Sequence, residues 1–280
     1  MQSSDASTDR YALVGHPVEH SRSPLIHQLF ARQTEEDISY ELIDAEPEQF
    51  ETAVRGFAAA GGRGMNVTVP YKEAAFGLCD TCGPEATAAK AVNTITFRAG
   101  QMHGDNTDGT GFIRDLIVNY EQPLANKRVL ILGAGGAVRG IMQPILAEEP
   151  TALVIANRTV ERAEKLVAEF DRAELLRVCS FEDLPDAGEF DVVINATSAG
   201  LKGEQPPFPG ELIKEQTFCY DLVYSMKATP FVSWAEAHGA AKAVQGWGML
   251  VEQAAESFLI WRGTRPDTQP ILEILSGVIE

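Results

Sequence analysis

The run Val129-Leu130-Ile131-Leu132-Gly133-Ala134-Gly135-Gly136-Ala137-Val138-Arg139 decides the fold. An apolar stretch of strand length enters a glycine-rich turn and leaves it as a helical pattern. Gly133 allows the tight turn, and Gly135 permits close approach of a pyrophosphate. The start of the following helix offers free backbone N–H groups and the positive end of its dipole. Val138 stands where the G-x-G-x-x-G fingerprint has its third glycine, so the turn alone also suits an α/β protein without a nucleotide.

The next strand sharpens this. A site for NAD usually ends that strand in Asp or Glu, to hold the ribose diol. Here Ala152–Ala156 is followed by Asn157-Arg158-Thr159, with Arg162 one helical turn on. Asn157 leaves the ribose 2′ position unrepelled, and guanidinium groups make strong charge-assisted bonds to a 2′-phosphate. The pattern favours NADP.

Around this centre, Arg128–Leu132, Ala152–Ala156, Leu176–Cys179, Phe190–Ile194 and Thr217–Leu222 read as strands. Gly135–Ala147 and Val160–Phe170 read as helices, completing the β-α-β alternation of a dinucleotide-binding domain. Gly109–Asn119 reads as a connecting helix broken at Gln122-Pro123. Upstream, strands are expected at Tyr11–Gly15, Ser39–Ile43, Gly64–Val67, Val92–Phe97 and Gln101–Gly104, and helices at Pro24–Arg32 and Pro47–Ala60. Ser23 before Pro24 reads as an N-cap. Downstream, Met249–Trp261 and Ile271–Ile279 are helical.

The expected fold is α/β with mostly parallel sheets. Residues 1–9 form a mobile tail, 10–107 with 246–280 an N-terminal α/β substrate domain, and 108–245 a Rossmann-like NADP-binding domain. The C-terminal helices pack back on the first domain.

Composition excludes several classes of function. The 280 residues carry 40 acidic and 23 basic side chains, a net charge of −17, which disfavours nucleic acid as a partner. No apolar run approaches a membrane span, and the Ser/Asp-rich start lacks the pattern of a signal peptide. A cytoplasmic place is expected, with monomer or homodimer left open. Cys79-x-x-Cys82 has no second pair or nearby His pair to complete a zinc site, and His16, His20 and His27 lack metal-motif spacing. No metal is expected.

Several segments do not look like core-building sequence. They are His20-Ser21-Arg22-Ser23-Pro24, Gly64-Met65-Asn66-Val67-Thr68-Val69-Pro70-Tyr71-Lys72, Ala91-Val92-Asn93-Thr94, Gly104-Asp105-Asn106-Thr107-Asp108-Gly109, and Gly246-Trp247-Gly248-Met249 with Gln253. Most gather short hydroxyl and amide groups at strand-to-helix junctions, where α/β proteins bind ligands. Taken singly, Ser23 and Asp108 also suit helix caps. Lys72 is the only lysine in these clusters. Hydride delivery to a ketone builds negative charge on its oxygen, and an ammonium beside it can donate a proton and stabilise that charge.

Together with Gly15-His16-Pro17-Val18-Glu19, Asn195-Ala196-Thr197-Ser198 and Gly248-Met249-Leu250, these segments resemble the shikimate dehydrogenase family from about Tyr11 through Trp261. The resemblance implies reversible, NADPH-dependent reduction of 3-dehydroshikimate to shikimate, on the pathway to aromatic amino acids. It implies that Ser21 and Ser23, helped by Tyr224, bind the substrate carboxylate. Asn66, Thr68, Asn93 and Gln253 would reach the ring hydroxyls, and Lys72 with Asp108 would form the catalytic pair. Gly133, Ala134, Gly135, Gly136, Ala137, Asn157, Arg158, Thr159, Arg162, Thr197, Ser198, Gly246 and Met249 would hold the NADP.

Some positions depart from the family pattern. Lys90 replaces a frequent Gly, Gln245 and Trp247 replace frequent Asp and Leu, and Ser225-Met226 replaces a frequent proline-containing turn. None removes a catalytic group; they bear on fine substrate preference, shikimate against quinate. The rival readings are a quinate/shikimate dehydrogenase with relaxed cofactor use and a non-catalytic shikimate sensor. Retention of both Lys72 and Asp108 argues against the sensor, since a binder needs no proton donor.

Overall fold

The computed structural model describes residues 8–172, 174–197 and 208–279. Two compact units emerge: Met1–Thr107 with Val251–Glu273, and Asp108–Leu250 with Ile274–Glu280.

The first unit runs β1 (Asp9–Gly15), α1 (Ser23–Thr34), β2 (Ile38–Asp44), a 3-10 turn at Pro47–Gln49, α2 (Phe50–Ala59) and β3 (Gly62–Val67). It continues with α3 (Lys72–Leu78), β4 (Thr81–Cys82), α4 (Pro84–Ala89), β5 (Thr94–Arg98) and β6 (Gln101–Asp105). Its sheet has the order β2-β1-β3-β5-β6-β4. The β2-β1-β3 part and the β6-β4 pair are parallel, whereas β3-β5-β6 is antiparallel, so this sheet is mixed but parallel-rich. Ala12, Val14, Met65, Val67 and Ile95 pack on one side against Phe50, Val54 and Phe57 of α2.

The second unit opens with α5 (Asp108–Arg114), which passes into a π-helical turn at Asp115–Asn119. Then come β7 (Arg128–Leu132), α6 (Gly136–Ala147), β8 (Ala152–Ala156), α7 (Val160–Val167), β9 (Leu176–Cys179) and β10 (Val192–Asn195). They are followed by β11 (Phe218–Asp221), α8 (Pro230–Ala237), β12 (Lys242–Gln245), α9 (Trp247–Arg262) and α10 (Gln269–Ile279). The sheet is wholly parallel, in the order β12-β11-β10-β7-β8-β9. Counted from β7, this is the 3-2-1-4-5-6 order of a doubly wound dinucleotide-binding fold. Every residue of β7 after Arg128 is buried, as a central parallel strand requires.

Several expectations shift. Asp9 opens β1 and Thr8 bonds Asp37, so these two residues of the expected tail belong to the folded unit. Residues 1–7 lie outside the described part. Helix α1 starts at Ser23, so Arg22 is its cap residue and Ser23 is not an N-cap. Strand β5 starts at Thr94 instead of Val92, because the Val92 N–H donates to the Lys72 carbonyl and the Asn93 side chain turns toward Thr107.

The return to the first unit comes at Val251 rather than Gly246. The Gly246 N–H donates to the Val223 carbonyl, and a Cβ on Gly248 would collide with the Asp115 carboxylate, so both glycines belong with the second unit. Ile274–Glu280 also groups there. The bulk of α9 packs on the first unit as expected: Ser257 bonds Thr94, Trp261 stacks on Tyr11, and Arg262 pairs with Asp9 and Glu36.

Candidate active site

In the first unit three of the predicted residues, Asn66, Asn93 and Gln253, join one polar network. Asn66, near the end of β3, is 5% exposed. Its Oδ1 accepts the Tyr40 hydroxyl at 2.7 Å, and its Nδ2 donates to the Asn93 carbonyl, Thr94 Oγ1 and Ser257 Oγ at 3.0–3.2 Å. Asn93 in turn accepts the Thr107 N–H at 2.9 Å and donates to Thr107 Oγ1 and to Gln253 Oε1 at 3.3 Å. Buried amides and hydroxyls must be paired, and here they pair with one another. Both polar atoms of the Asn66 side chain are engaged with the protein, and one of these bonds holds the Asn93 carbonyl.

The same framework carries Lys72. It opens α3, and its carbonyl accepts the Val92 N–H at 2.8 Å, tying it to the segment that presents Asn93. Thr68 is half-buried; its N–H donates to the Val14 carbonyl, fixing the turn that leads to Lys72. Ser21 and Ser23 are joined: their hydroxyls lie 3.2 Å apart, and the Ser23 N–H donates to Ser21 Oγ. The structure thus gathers two hydroxyls at the start of α1.

His27 lies inside this unit, stacked on Tyr40 with ring centroids 4.3 Å apart. Neither ring nitrogen has a protein partner of good hydrogen-bond geometry. Burial pushes its pKa down to about 3, partly offset by the nearby Asn66 amide, so the ring is neutral.

In the second unit Asp108 is the first residue of α5 and is 6% exposed. Gly133 has φ +109° and passes the Ala196 carbonyl so closely that a Cβ there would sit 3.0 Å from its oxygen. This pins the glycine turn between the ends of β7 and β10, the point where strand order reverses and α/β folds bind ligands. Among the described residues a Cβ at Gly135 or Gly136 would meet nothing within 4 Å beyond its chain neighbours, and no side chain caps α6. That cradle suits a pyrophosphate. Ala134 and Ala137 keep the turn free of bulk.

After β8, Asn157 Nδ2 donates to the Thr159 carbonyl at 2.7 Å and closes the turn into α7. Arg158 and Arg162 are exposed on it, and neither is tied up in an ion pair among the described residues. At the end of β10, Thr197 donates to Asn195 Oδ1 through both its N–H and its hydroxyl. Asn195 donates to Asp221, whose other oxygen accepts from Thr229 at 2.6 Å. Burial raises the Asp221 pKa, and bonds from Thr229, Val223 and Asn195 oppose the shift. Ser198 lies outside the described residues. Tyr224 rests on the Trp247 ring, and Met249 packs on the core beneath the sheet.

Sequence reading missed Tyr40, Ser257 and the Asn195–Asp221–Thr229 chain. Ser257 lies four residues after Gln253 on α9, so helical spacing alone could have placed them on one face. The Cys79 thiol is pushed up to about 12 by burial, and that of Cys82 is also raised, which keeps both protonated. Among the described residues no group of three or more His, Cys, Asp or Glu is arranged to hold a metal, and no helix is long and apolar enough to cross a membrane.

Comparison with known proteins matches this layout. The family model for the shikimate dehydrogenase substrate binding domain matches residues 13–95, that for shikimate/quinate 5-dehydrogenase matches 116–202, and that for the shikimate 5'-dehydrogenase C-terminal domain matches 246–275. The shikimate dehydrogenase (NADP(+)) of Alkalilimnicola ehrlichii is 56% identical over 96% of this chain and 98% of its own. The crystal structure of an Ael1 enzyme from Pseudomonas putida superposes with a TM-score of 0.89 at 44% identity, over 95% of this chain and 98% of that one. Shikimate 5-dehydrogenase from Thermus thermophilus, solved with NADP(H) and shikimate, gives a TM-score of 0.86 at 34% identity, over 96% and 99%. With three successive family models and a relative above half identity along nearly its whole length, the chain belongs to the shikimate dehydrogenase family.

Proposed function

We propose that this chain catalyses the reversible, NADPH-dependent reduction of 3-dehydroshikimate to shikimate. The observation that carries the reading is the Asn66–Asn93–Thr107–Gln253 network beside the backbone of Lys72, on a chain whose relatives are NADP(+) shikimate dehydrogenases.

NADPH, when bound, supplies the hydride. Gly133 to Ala137 and the start of α6 hold its pyrophosphate, with Thr197, Ser198, Gly246 and Met249 along the rest of it. Asn157, Arg158, Thr159 and Arg162 recognise the 2′-phosphate, because exposed guanidinium groups at a strand end without a carboxylate attract it. Ser21, Ser23 and Tyr224 bind the substrate carboxylate through their hydroxyls. Asn66, Thr68, Asn93 and Gln253 bind ring hydroxyls, and Asn66 also holds the Asn93 carbonyl.

Lys72 gives a proton to the ketone oxygen as charge develops there, and Asp108 holds the ammonium in place. In the reverse direction Lys72 takes the proton back from the shikimate hydroxyl. The acidic surface, net charge −17, works against binding to nucleic acid. A cytoplasmic enzyme, monomeric or homodimeric, fits this chemistry.

The test is absorbance at the NADPH band with shikimate or quinate as substrate and NADP or NAD as acceptor. Rapid reduction of NADP with shikimate alone is expected. Comparable rates with quinate and NAD would move the chain to a dual-substrate dehydrogenase, and silence in all four mixtures from folded protein would overturn the reading.

A further inference from the structure

The loop between β11 and α8 carries Tyr224, and two side chains from β12 and the start of α9 fasten its middle. Gln245 Oε1 accepts the Ser225 N–H at 2.7 Å, and Gln245 Nε2 donates to the Lys227 carbonyl at 3.2 Å. Trp247 Nε1 donates to the Ser225 carbonyl at 3.3 Å, while its ring lies 4.6 Å from that of Tyr224, inclined at 46°. The loop ends are anchored separately, both on Asp221: Val223 N–H and Thr229 Oγ1 donate to its two oxygens.

Of the positions where this chain leaves the common family pattern, Gln245, Trp247 and the Ser225-Met226 turn meet at one loop, whereas Lys90 lies apart, at the end of α4. An amide that spans both Ser225 and Lys227 stands in for the turn a proline would stiffen. The indole then fixes both the backbone beside Tyr224 and the plane of its ring.

We infer that Gln245 and Trp247 are positioning residues that clamp the Tyr224 loop and so set substrate affinity through the Tyr224 hydroxyl. The inference rests on the proposed contact of Tyr224 with the substrate carboxylate. A preset loop loses less conformational freedom when substrate binds, so releasing it weakens binding while leaving the hydride step alone.

Two measurements test it. The first reads the clamp directly, by trypsin cleavage after the exposed Lys227 in the native protein. Gln245→Ala and Trp247→Leu should each speed cleavage there about tenfold, as loss of a loop-holding contact shifts local opening. Leu is common in the family at this position, so the second variant is compatible with the fold. Unchanged cleavage would overturn the clamp.

The second measurement is kinetic. Trp247→Leu should raise the shikimate KM about tenfold and leave kcat and the NADP KM within about threefold. In a Tyr224→Phe background it should add nothing, because it acts through that hydroxyl. An equal rise in both backgrounds, or none in the first, would sink the positioning role. Faster cleavage combined with an unchanged shikimate KM in Tyr224→Phe would retain the clamp and remove the substrate contact assigned to Tyr224.

Discussion

Asn66 lies near the end of β3 and Gly135 just past the end of β7, before α6, and their surroundings are opposite. Asn66 is buried and bonded to Tyr40, Asn93, Thr94 and Ser257. Among the described residues nothing beyond its chain neighbours lies within 4 Å of where a Gly135 side chain would begin. The first unit presents amides and hydroxyls whose directions are set by one another. The second presents backbone N–H groups, two exposed arginines and room. A polyol ring needs donors and acceptors at defined angles, which only braced side chains supply. A pyrophosphate needs charge and close approach, which a helix end and missing side chains supply.

The contrast can be broken by mutation. The largest effect is expected at Lys72: Lys72→Ala should cut kcat by about 10²–10⁴-fold, the usual scale of general acid–base assistance. Near-normal turnover would remove it from the chemistry. Next comes the cofactor side. Arg158→Ala with Arg162→Ala should raise the NADP KM by about 10–100-fold, the loss of one or two charge-assisted bonds, with the shikimate KM and the melting temperature unchanged. A drop in melting temperature would show that these arginines hold the fold instead.

A direct comparison of the two strand ends follows. Asn66→Ala should destabilise the protein by about 1–3 kcal/mol in urea unfolding, since it strands the buried Tyr40, Thr94 and Ser257 groups. Gly135→Ala should leave unfolding unchanged and raise only the NADP KM. If both variants lose stability alike, the contrast between side-chain and backbone sites fails.

The smallest effect is a pH dependence confined to the first unit. His27 is fully buried and its pKa falls to about 3, whereas the unfolded chain protonates near the ordinary value of about 6.5. Between those values the unfolded state binds a proton that the folded state refuses. Stability from this source is therefore complete above about pH 6.5 and falls with pH, by about 2 kcal/mol at pH 5. His27→Phe should flatten that part of the stability profile; an unchanged slope would assign it to other groups.

How much of this was legible depends on length and periodicity. Arg128–Leu132, Ala152–Ala156 and Leu176–Cys179 have the bounds their apolar runs predict, because buried parallel strands read as continuous hydrophobic stretches. Helices α3 and α4, with seven and six residues, are too short for a helical period to declare itself. Ser23 looked like a cap beside Pro24, but the helix begins one residue earlier and its hydroxyl turns to Ser21 instead. The division of the chain at Leu250/Val251 was also hidden, since it depends on Gly246 meeting Val223 and Gly248 meeting Asp115, contacts between distant segments.

The sequence by itself determined the dinucleotide-binding turn, the absence of a carboxylate after β8, and the set of polar segments that mark the family. Each of these is local, carried by residue type at short spacing. Only the tertiary structure decided that Asn66 bonds Tyr40 and Ser257, and that Gln245 and Trp247 meet at the Tyr224 loop. Those facts depend on residues far apart in the chain converging, and a hydrogen bond's partner is chosen by packing and not by sequence neighbourhood.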